Sequence, residues 1–298
     1  MVPDEAPAPY RAGVIGHPIA HSKSPRLHGA AYSYLEFACD YSAIETPPDA
    51  LEGIMRELRA DSTWRGLSVT MPHKAAALTY MDELAPGVAD LGVINTVLPV
   101  GEGAHRRLVG HNTDVEGIVR AVRHAGAGSP RQALVLGGGG TASAAVAALA
   151  RMGVELVDVC VRSTHKAQPL IALGERLNTA VQLQDFDAAA DLCVVAPLVI
   201  STLPPHGADG LAAALQRMPD SMGESAQAAP RVLLDVAYDP WPSALASAWS
   251  SRGGAIVPGL EMLLYQAVAQ VKLFTGDVFR DEAAVINVMC DAVEAPRR

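Results

Sequence analysis

Short, fully apolar runs alternate along this chain with longer stretches in which apolar side chains return every three or four positions. The first pattern predicts buried strands and the second amphipathic helices. Strands are expected at Ala12–Ile15, Tyr41–Ile44, Gly66–Thr70 and Val93–Val100. Between them, a helix should run from Ser24, as cap, with Pro25 in its first turn, to about Leu35. Another is expected from Ala50 to about Arg59, with Leu51, Ile54, Met55 and Leu58 on one stripe. After a helix over Thr113–Ala125, strands are expected at Ala133–Leu136, Leu156–Val161, Val199–Thr202, Val232–Val236 and Ala255–Val257, with a helix over Thr141–Met152. Two helices close the chain, from Leu260 to about Thr275 and from Asp281 to about Val293. Pro219–Pro230 is polar and rich in Ser, Ala and Gly, and reads as a loop.

This alternation predicts an α/β protein with mostly parallel sheets. At 298 residues there is enough chain for two cores. The expected division is a first domain over residues 1–112, a second over 113–258, and closing helices over 259–298 that return to the first. The formal charge of −9 argues against nucleic acid or an anionic membrane as partner. Any anionic ligand must be held by local cations and helix N-termini.

The four cysteines are scattered, without the spacing of a zinc site, and no metal is expected. Cys160 and Cys193 lie in apolar runs, as small hydrophobes do. Met1–Pro9 lacks the basic and apolar regions of a signal peptide, and the longest apolar stretch, Leu192–Leu203, is broken by Pro197. A cytoplasmic protein is expected.

Chemistry concentrates in a few places. Ser68-Val69-Thr70-Met71-Pro72-His73-Lys74 sets a lone lysine where a helix is expected to begin, and Gly110-His111-Asn112-Thr113-Asp114 sets a carboxylate at the head of another. Lys74 is either an ordinary surface lysine or, with Asp114, a proton-handling pair. Ser22 and Ser24 flank Lys23 in a turn; Ser24 caps a helix in any fold, or both hydroxyls bind a small carboxylate there. Asn95 is a turn residue or an amide for a ligand hydroxyl. Gln266, on the apolar face of the long closing helix, needs a partner, and a ligand hydroxyl is a candidate.

Gly137-Gly138-Gly139-Gly140-Thr141-Ala142 stands between a predicted strand and an Ala-rich helix, the context a dinucleotide-binding turn requires. A Lys/Asp pair beside a nicotinamide cofactor suits carbonyl reduction. The next strand ends in Val161-Arg162-Ser163-Thr164-His165-Lys166. With no carboxylate there for a ribose 2′-hydroxyl, Arg162, Ser163, Thr164 and Lys166 favour a 2′-phosphate, hence NADP over NAD. The alternative is a solvated basic helix start.

Taken together, these motifs resemble the shikimate dehydrogenase family, in order and from about Ala12 to about Thr275. Besides those above, the resemblance rests on Gly16-His17-Pro18-Ile19-Ala20-His21-Ser22-Lys23-Ser24-Pro25 and Gly259-Leu260-Glu261-Met262-Leu263-Leu264-Tyr265-Gln266-Ala267. It implies a substrate-binding α/β domain, a Rossmann-type NADP domain and reversible, NADPH-dependent reduction of 3-dehydroshikimate to shikimate in aromatic amino-acid biosynthesis. It implies Lys74 and Asp114 as catalytic residues. Ser22, Ser24, Ser68, Thr70, Asn95, Tyr238 and Gln266 would bind substrate in a cleft between the domains. Residues 137–142, Arg162, Ser163, Thr164, Lys166, Thr202, Val236, Gly259 and Met262 would bind cofactor. A monomer or homodimer is expected. The family often has Asn where Ser68 stands, and Asn where Val161 stands. An NAD-dependent quinate/shikimate dehydrogenase and a non-catalytic metabolite-binding homologue are the alternatives.

Overall fold

The computed structural model describes residues 9–128, 130–218 and 231–298, so the expected loop at Pro219–Pro230 falls outside the described residues. Two compact units emerge, Met1–Thr113 with Gln266–Arg298, and Asp114–Tyr265. In chain order the first unit begins with β1 (Tyr10–Gly16), α1 (Ser24–Tyr34), β2 (Cys39–Glu45), α2 (Leu51–Ala60) and β3 (Trp64–Val69). It continues with β4 (Glu83–Leu84), α3 (Val88–Leu91), β5 (Thr96–Val100) and β6 (Arg107–His111). The second unit holds α4 (Asp114–His124), β7 (Gln132–Leu136), α5 (Gly140–Arg151), β8 (Leu156–Val161), α6 (Thr164–Arg176), β9 (Ala180–Asp185) and α7 (Ala189–Val195). It ends with β10 (Leu198–Ser201), α8 (Asp209–Arg217), β11 (Val232–Asp235), α9 (Ala244–Ser251), β12 (Ala255–Pro258) and the start of α10 (Gly259–Thr275). The rest of α10, and α11 (Glu282–Ala292), belong to the first unit, where α11 packs on α1.

The first unit's sheet runs in the order β2-β1-β3-β5-β6-β4. β1 pairs in parallel with β2 and β3, whereas β5 is antiparallel to both β3 and β6. One face is sealed by Leu51, Met55 and Leu58 of α2 packed with Ile15, Trp64, Leu67 and Ile94, which realises the stripe read from the sequence. On α1, the His28 ring stacks 3.9 Å from that of Tyr41, and neither side chain is more than 7% exposed. Burial holds the His28 imidazole neutral, its pKa pushed down to about 3.

The second unit's sheet is parallel throughout, in the order β12-β11-β10-β7-β8-β9. The strand order reverses between β7 and β10, and such a switch point is where doubly wound sheets open a crevice for a ligand. Its central strands β7, β10 and β11 are largely apolar and buried, as parallel strands covered on both sides must be. Cys160 and Cys193 are fully buried, and burial raises both thiols to about 12, so they are packing residues. Among the described residues no helix is long and apolar enough to cross a membrane, and no group of side chains could hold a metal ion.

Several expectations need correction. No α-helix follows Lys74: the lysine sits in a turn, and only a short 3-10 helix, Ala76–Tyr80, comes after it. Ser24 does not cap α1: Lys23 holds the cap position with no side-chain bond, and the Ser22 hydroxyl accepts from the Ser24 N–H at 3.3 Å. Asn95 lies just before β5, in a bend. Finally, β4, β6 and β9 are short or half-exposed strands whose mixed polarity hid them.

Candidate active site

In the first unit, Ser68, Asn95 and Gln266, three of the expected substrate residues, join one buried chain of hydrogen bonds. The Tyr41 hydroxyl donates to Ser68 Oγ at 2.7 Å, and Ser68 donates to Gln270 Oε1 at 2.8 Å. Gln270 Nε2 donates to Thr96 Oγ1 at 2.9 Å, and Thr96 donates to Asn95 Oδ1 at 2.8 Å. Asn95 Nδ2 donates to Thr113 Oγ1 at 2.8 Å and to Gln266 Oε1 at 3.3 Å. Ser68, Asn95, Thr96, Thr113, Gln266 and Gln270 are all buried. Ser24 also bears on the Tyr41 hydroxyl, whose pKa burial raises. So many polar groups inside an apolar core are tolerable only because each has a partner.

Lys74 and Asp114 attach to this chain from opposite sides of Asn95. The Lys74 carbonyl accepts from the N–H of Ile94, the residue before Asn95, at 2.9 Å. The Thr113 N–H donates to Asn95 Oδ1 at 2.7 Å, and Asp114 is the next residue, the first of α4. Asp114 is 4% exposed and Lys74 half-buried. The neighbouring His73 is buried, its Nε2 2.6 Å from the Thr46 carbonyl, while the Thr46 N–H donates to Gly16. That imidazole ties the lysine turn to the ends of β1 and β2. Thr70 is half-buried, its N–H on the Ile15 carbonyl and its carbonyl accepting from His73. At the Gly16–Pro25 turn, Glu45 binds His17 and accepts from the Ile19 N–H at 3.0 Å. These contacts hold its carboxyl below the usual range.

The glycine loop expected to hold a pyrophosphate lies in the second unit. Gly137 takes φ of +107°, a left-handed conformation that favours glycine, and a Cβ there would meet Thr202 Oγ1 at 2.6 Å. Thr202, directly after β10, donates its N–H and hydroxyl to the Leu136 carbonyl, so the glycine loop and Thr202 meet at the switch point. A Cβ on Gly139 would find nothing within 4 Å, and residues Gly138 and Gly139 are exposed just before α5. Open space in front of a helix N-terminus fits a pyrophosphate.

Beyond β8, Arg162, Ser163, Thr164 and Lys166 are exposed. Ser163 holds the cap position of α6 but makes no side-chain cap bond, which leaves its hydroxyl for a ligand. Asp158, the nearest acid on that strand, accepts from Gln184 Nε2 at 2.8 Å and so is engaged within the sheet.

Val236 and Tyr238 lie on the loop after β11. Buried Asp235 staples both ends of that loop, accepting from Ser243 Oγ at 2.6 Å and from the Ala237 N–H at 3.4 Å. Burial raises the pKa of Asp235 and, with help from Asp239, that of half-buried Tyr238. Gly259 opens α10 against this loop. A Cβ there would strike the Val236 carbonyl and lie 2.7 Å from the Asp235 carbonyl oxygen. Backbone cannot step aside cheaply, so Gly259→Ala should cost about 3 kcal/mol, the upper end of overpacking. A urea unfolding curve checks this; an unchanged midpoint would show that the loop yields. Met262, one turn on, is 7% exposed.

One unit thus carries a polar substrate chain and the other a dinucleotide turn, and the comparisons decide the family. Residues 14–97 match the shikimate dehydrogenase substrate binding domain, and residues 259–278 the shikimate 5′-dehydrogenase C-terminal domain. The chain is 37% identical over 272 residues to the shikimate dehydrogenase (NADP(+)) of Methylobacterium radiotolerans, covering 89% of this chain and 91% of that one. This chain belongs to the shikimate dehydrogenase family. The crystal structure of Mycobacterium tuberculosis shikimate dehydrogenase matches with a TM-score of 0.80 at 39% identity, over 95% of this chain and all of the other. The Thermus thermophilus enzyme in complex with NADP(H) and shikimate matches with a TM-score of 0.75 at 30% identity, over 95% of this chain and 99% of the other.

Family-level motifs pointed to Ser68, Asn95 and Gln266, but Tyr41, Gln270, Thr96 and Thr113 were not singled out as members of the site. Gln270 carries a readable signal. It lies four residues after Gln266, on the same face of a largely apolar helix, and a second buried amide there needs partners as much as the first.

Proposed function

We propose that this chain catalyses the reversible, NADPH-dependent reduction of 3-dehydroshikimate to shikimate in aromatic amino-acid biosynthesis. The observation that carries the reading is the buried hydrogen-bond chain with Lys74 and Asp114 attached on either side of Asn95, in a member of this family. When bound, NADPH supplies a hydride to the substrate ketone. Negative charge then develops on the ketone oxygen, and the Lys74 ammonium stabilises it and delivers the proton. Asp114 holds that ammonium in place and accepts from a ring hydroxyl. Ser22 and Ser24 bind the substrate carboxylate at the start of α1. Ser68, Thr70, Asn95 and Gln266 receive the ring hydroxyls, and Tyr238 borders the pocket.

For the cofactor, the loop 137–142 and the N-terminus of α5 hold the pyrophosphate, while Thr202, Val236, Gly259 and Met262 line the nicotinamide side. Arg162, with Ser163, Thr164 and Lys166, pairs with the 2′-phosphate. Arg162→Ala should lower the NADP-to-NAD ratio of kcat/KM by about ten- to a hundredfold, the worth of one charge-assisted contact. Lys166→Ala should lower it less, because its ammonium is a single, strongly hydrated point charge without the bidentate fork of a guanidinium. An unchanged ratio in Arg162→Ala would reduce it to a surface cation.

The whole reading is tested by following absorbance of the reduced nicotinamide with shikimate and with quinate, each against NADP and NAD. Turnover is expected with shikimate and NADP. Faster turnover of quinate with NAD would favour the quinate/shikimate alternative, and none with any pair a non-catalytic homologue. The basic and hydroxyl side chains of residues 162–166, with no acid among them, and the presence of both Lys74 and Asp114 speak against these. We place the enzyme in the cytoplasm, as a monomer or homodimer.

A further inference from the structure

Two backbone groups, the Asn95 carbonyl and the Thr113 N–H, set the directions of the hydrogen bonds in the buried chain. Gln270 Nε2 lies 3.1 Å from the Asn95 backbone oxygen, which can only accept, so the nitrogen side of the Gln270 amide must face it. That places Oε1 against Ser68, whose single hydroxyl proton is therefore committed to Gln270. The same nitrogen donates to Thr96, so the Thr96 proton must turn to Asn95 Oδ1. With the Thr113 N–H on that oxygen as well, the Asn95 NH2 group is directed at Thr113 and Gln266. Gln270 is 1% exposed, and these three positions lie on β3, the bend before β5 and α10.

We propose that Gln270 is a positioning residue that sets the polarity of the substrate pocket, making Ser68 an acceptor-only contact and, through Thr96, reinforcing the Asn95 amide orientation that the Thr113 N–H sets. Tyr41 takes one lone pair of Ser68, and the other can receive a proton only from a ligand hydroxyl. A serine so arranged selects a ring substituent that donates, and it does this where the shorter side chain replaces the amide common in the family. Reversing the Gln270 amide would set its oxygen against the Asn95 carbonyl and free both Ser68 and Thr96 to rotate.

This rests on Ser68 and Asn95 touching substrate, so Ser68→Ala is read first. Unchanged KM for shikimate in that variant would sink the reading of Ser68 as a contact. Given a raised KM there, Gln270→Met, similar in length but unable to hydrogen-bond, should raise the shikimate KM about tenfold. Its kcat should stay within about threefold and its KM for NADP within about twofold, because the interactions lost are common to ground and transition states. In the Ser68→Ala background the same substitution should raise KM by clearly less, since part of its effect passes through Ser68. An unchanged shikimate KM in Gln270→Met, an equal rise in both KM values, or full additivity with Ser68→Ala would each overturn the proposal. Should Gln270→Met not fold, Thr96→Val cuts only the link that runs through the Thr96 hydroxyl to the Asn95 side chain. A selective rise in shikimate KM supports the proposal there, and none refutes it.

Discussion

Lys74→Ala is expected to keep the fold and most of the shikimate affinity while losing at least about 10²-fold in kcat, the usual contribution of a positioned proton donor. The reason is where its charge is needed. The ketone oxygen is neutral in the bound substrate and gains negative charge only as hydride arrives, so the ammonium interacts more strongly with the transition state than with the ground state. Lys74 lies in a turn, held by its backbone carbonyl on Ile94 and by its neighbour His73 on Thr46. Thermal unfolding should therefore be little changed. Steady-state kinetics in both directions decide the matter: intact kcat with a raised KM would make Lys74 a binding residue.

Asp114→Asn should lower kcat by roughly 10²-fold and also raise the shikimate KM. Its two roles differ chemically. An amide retains the shape and can still accept from a ring hydroxyl, but it loses the charge that holds an ammonium in place. Asp114 also begins α4, where a carboxylate is favoured by the helix dipole, so some loss of stability, about 0.5 kcal/mol, accompanies the change. Near-normal kinetics with only that loss would leave Asp114 as a helix-start residue. A kcat effect much larger than the stability effect is the expected outcome.

Periodicity sufficed for elements that bury a regular stripe. Leu51, Met55 and Leu58 are buried as their spacing requires, and Leu156–Val161 is a strand with the bounds its apolar run predicts. The glycine loop was legible because strand, turn and helix follow one another locally. Elements with weak or mixed patterns escaped: β9 alternates half-exposed and exposed positions at a sheet edge, and β4 is two residues long. The lysine turn misled because a proline-containing apolar-to-polar transition resembles a helix start, whereas its hydrogen bonds to Thr46 and Ile94 come from elsewhere in the chain.

By itself, then, the sequence determined the α/β class, the glycine turn between strand and helix, the basic start of α6 and the candidate pair Lys74 and Asp114. All of these rest on residues close together in the chain, or on motif order. Only the tertiary structure decided how the substrate side is wired. Ser68 meets Gln270, and Asn95 meets Gln266, across separations of 202 and 171 residues. A lone Ser, Asn or Gln in a sequence leaves its partner and its donor direction open. They become fixed when folding brings acceptor-only groups, such as the Asn95 carbonyl, against amides that must then turn one way.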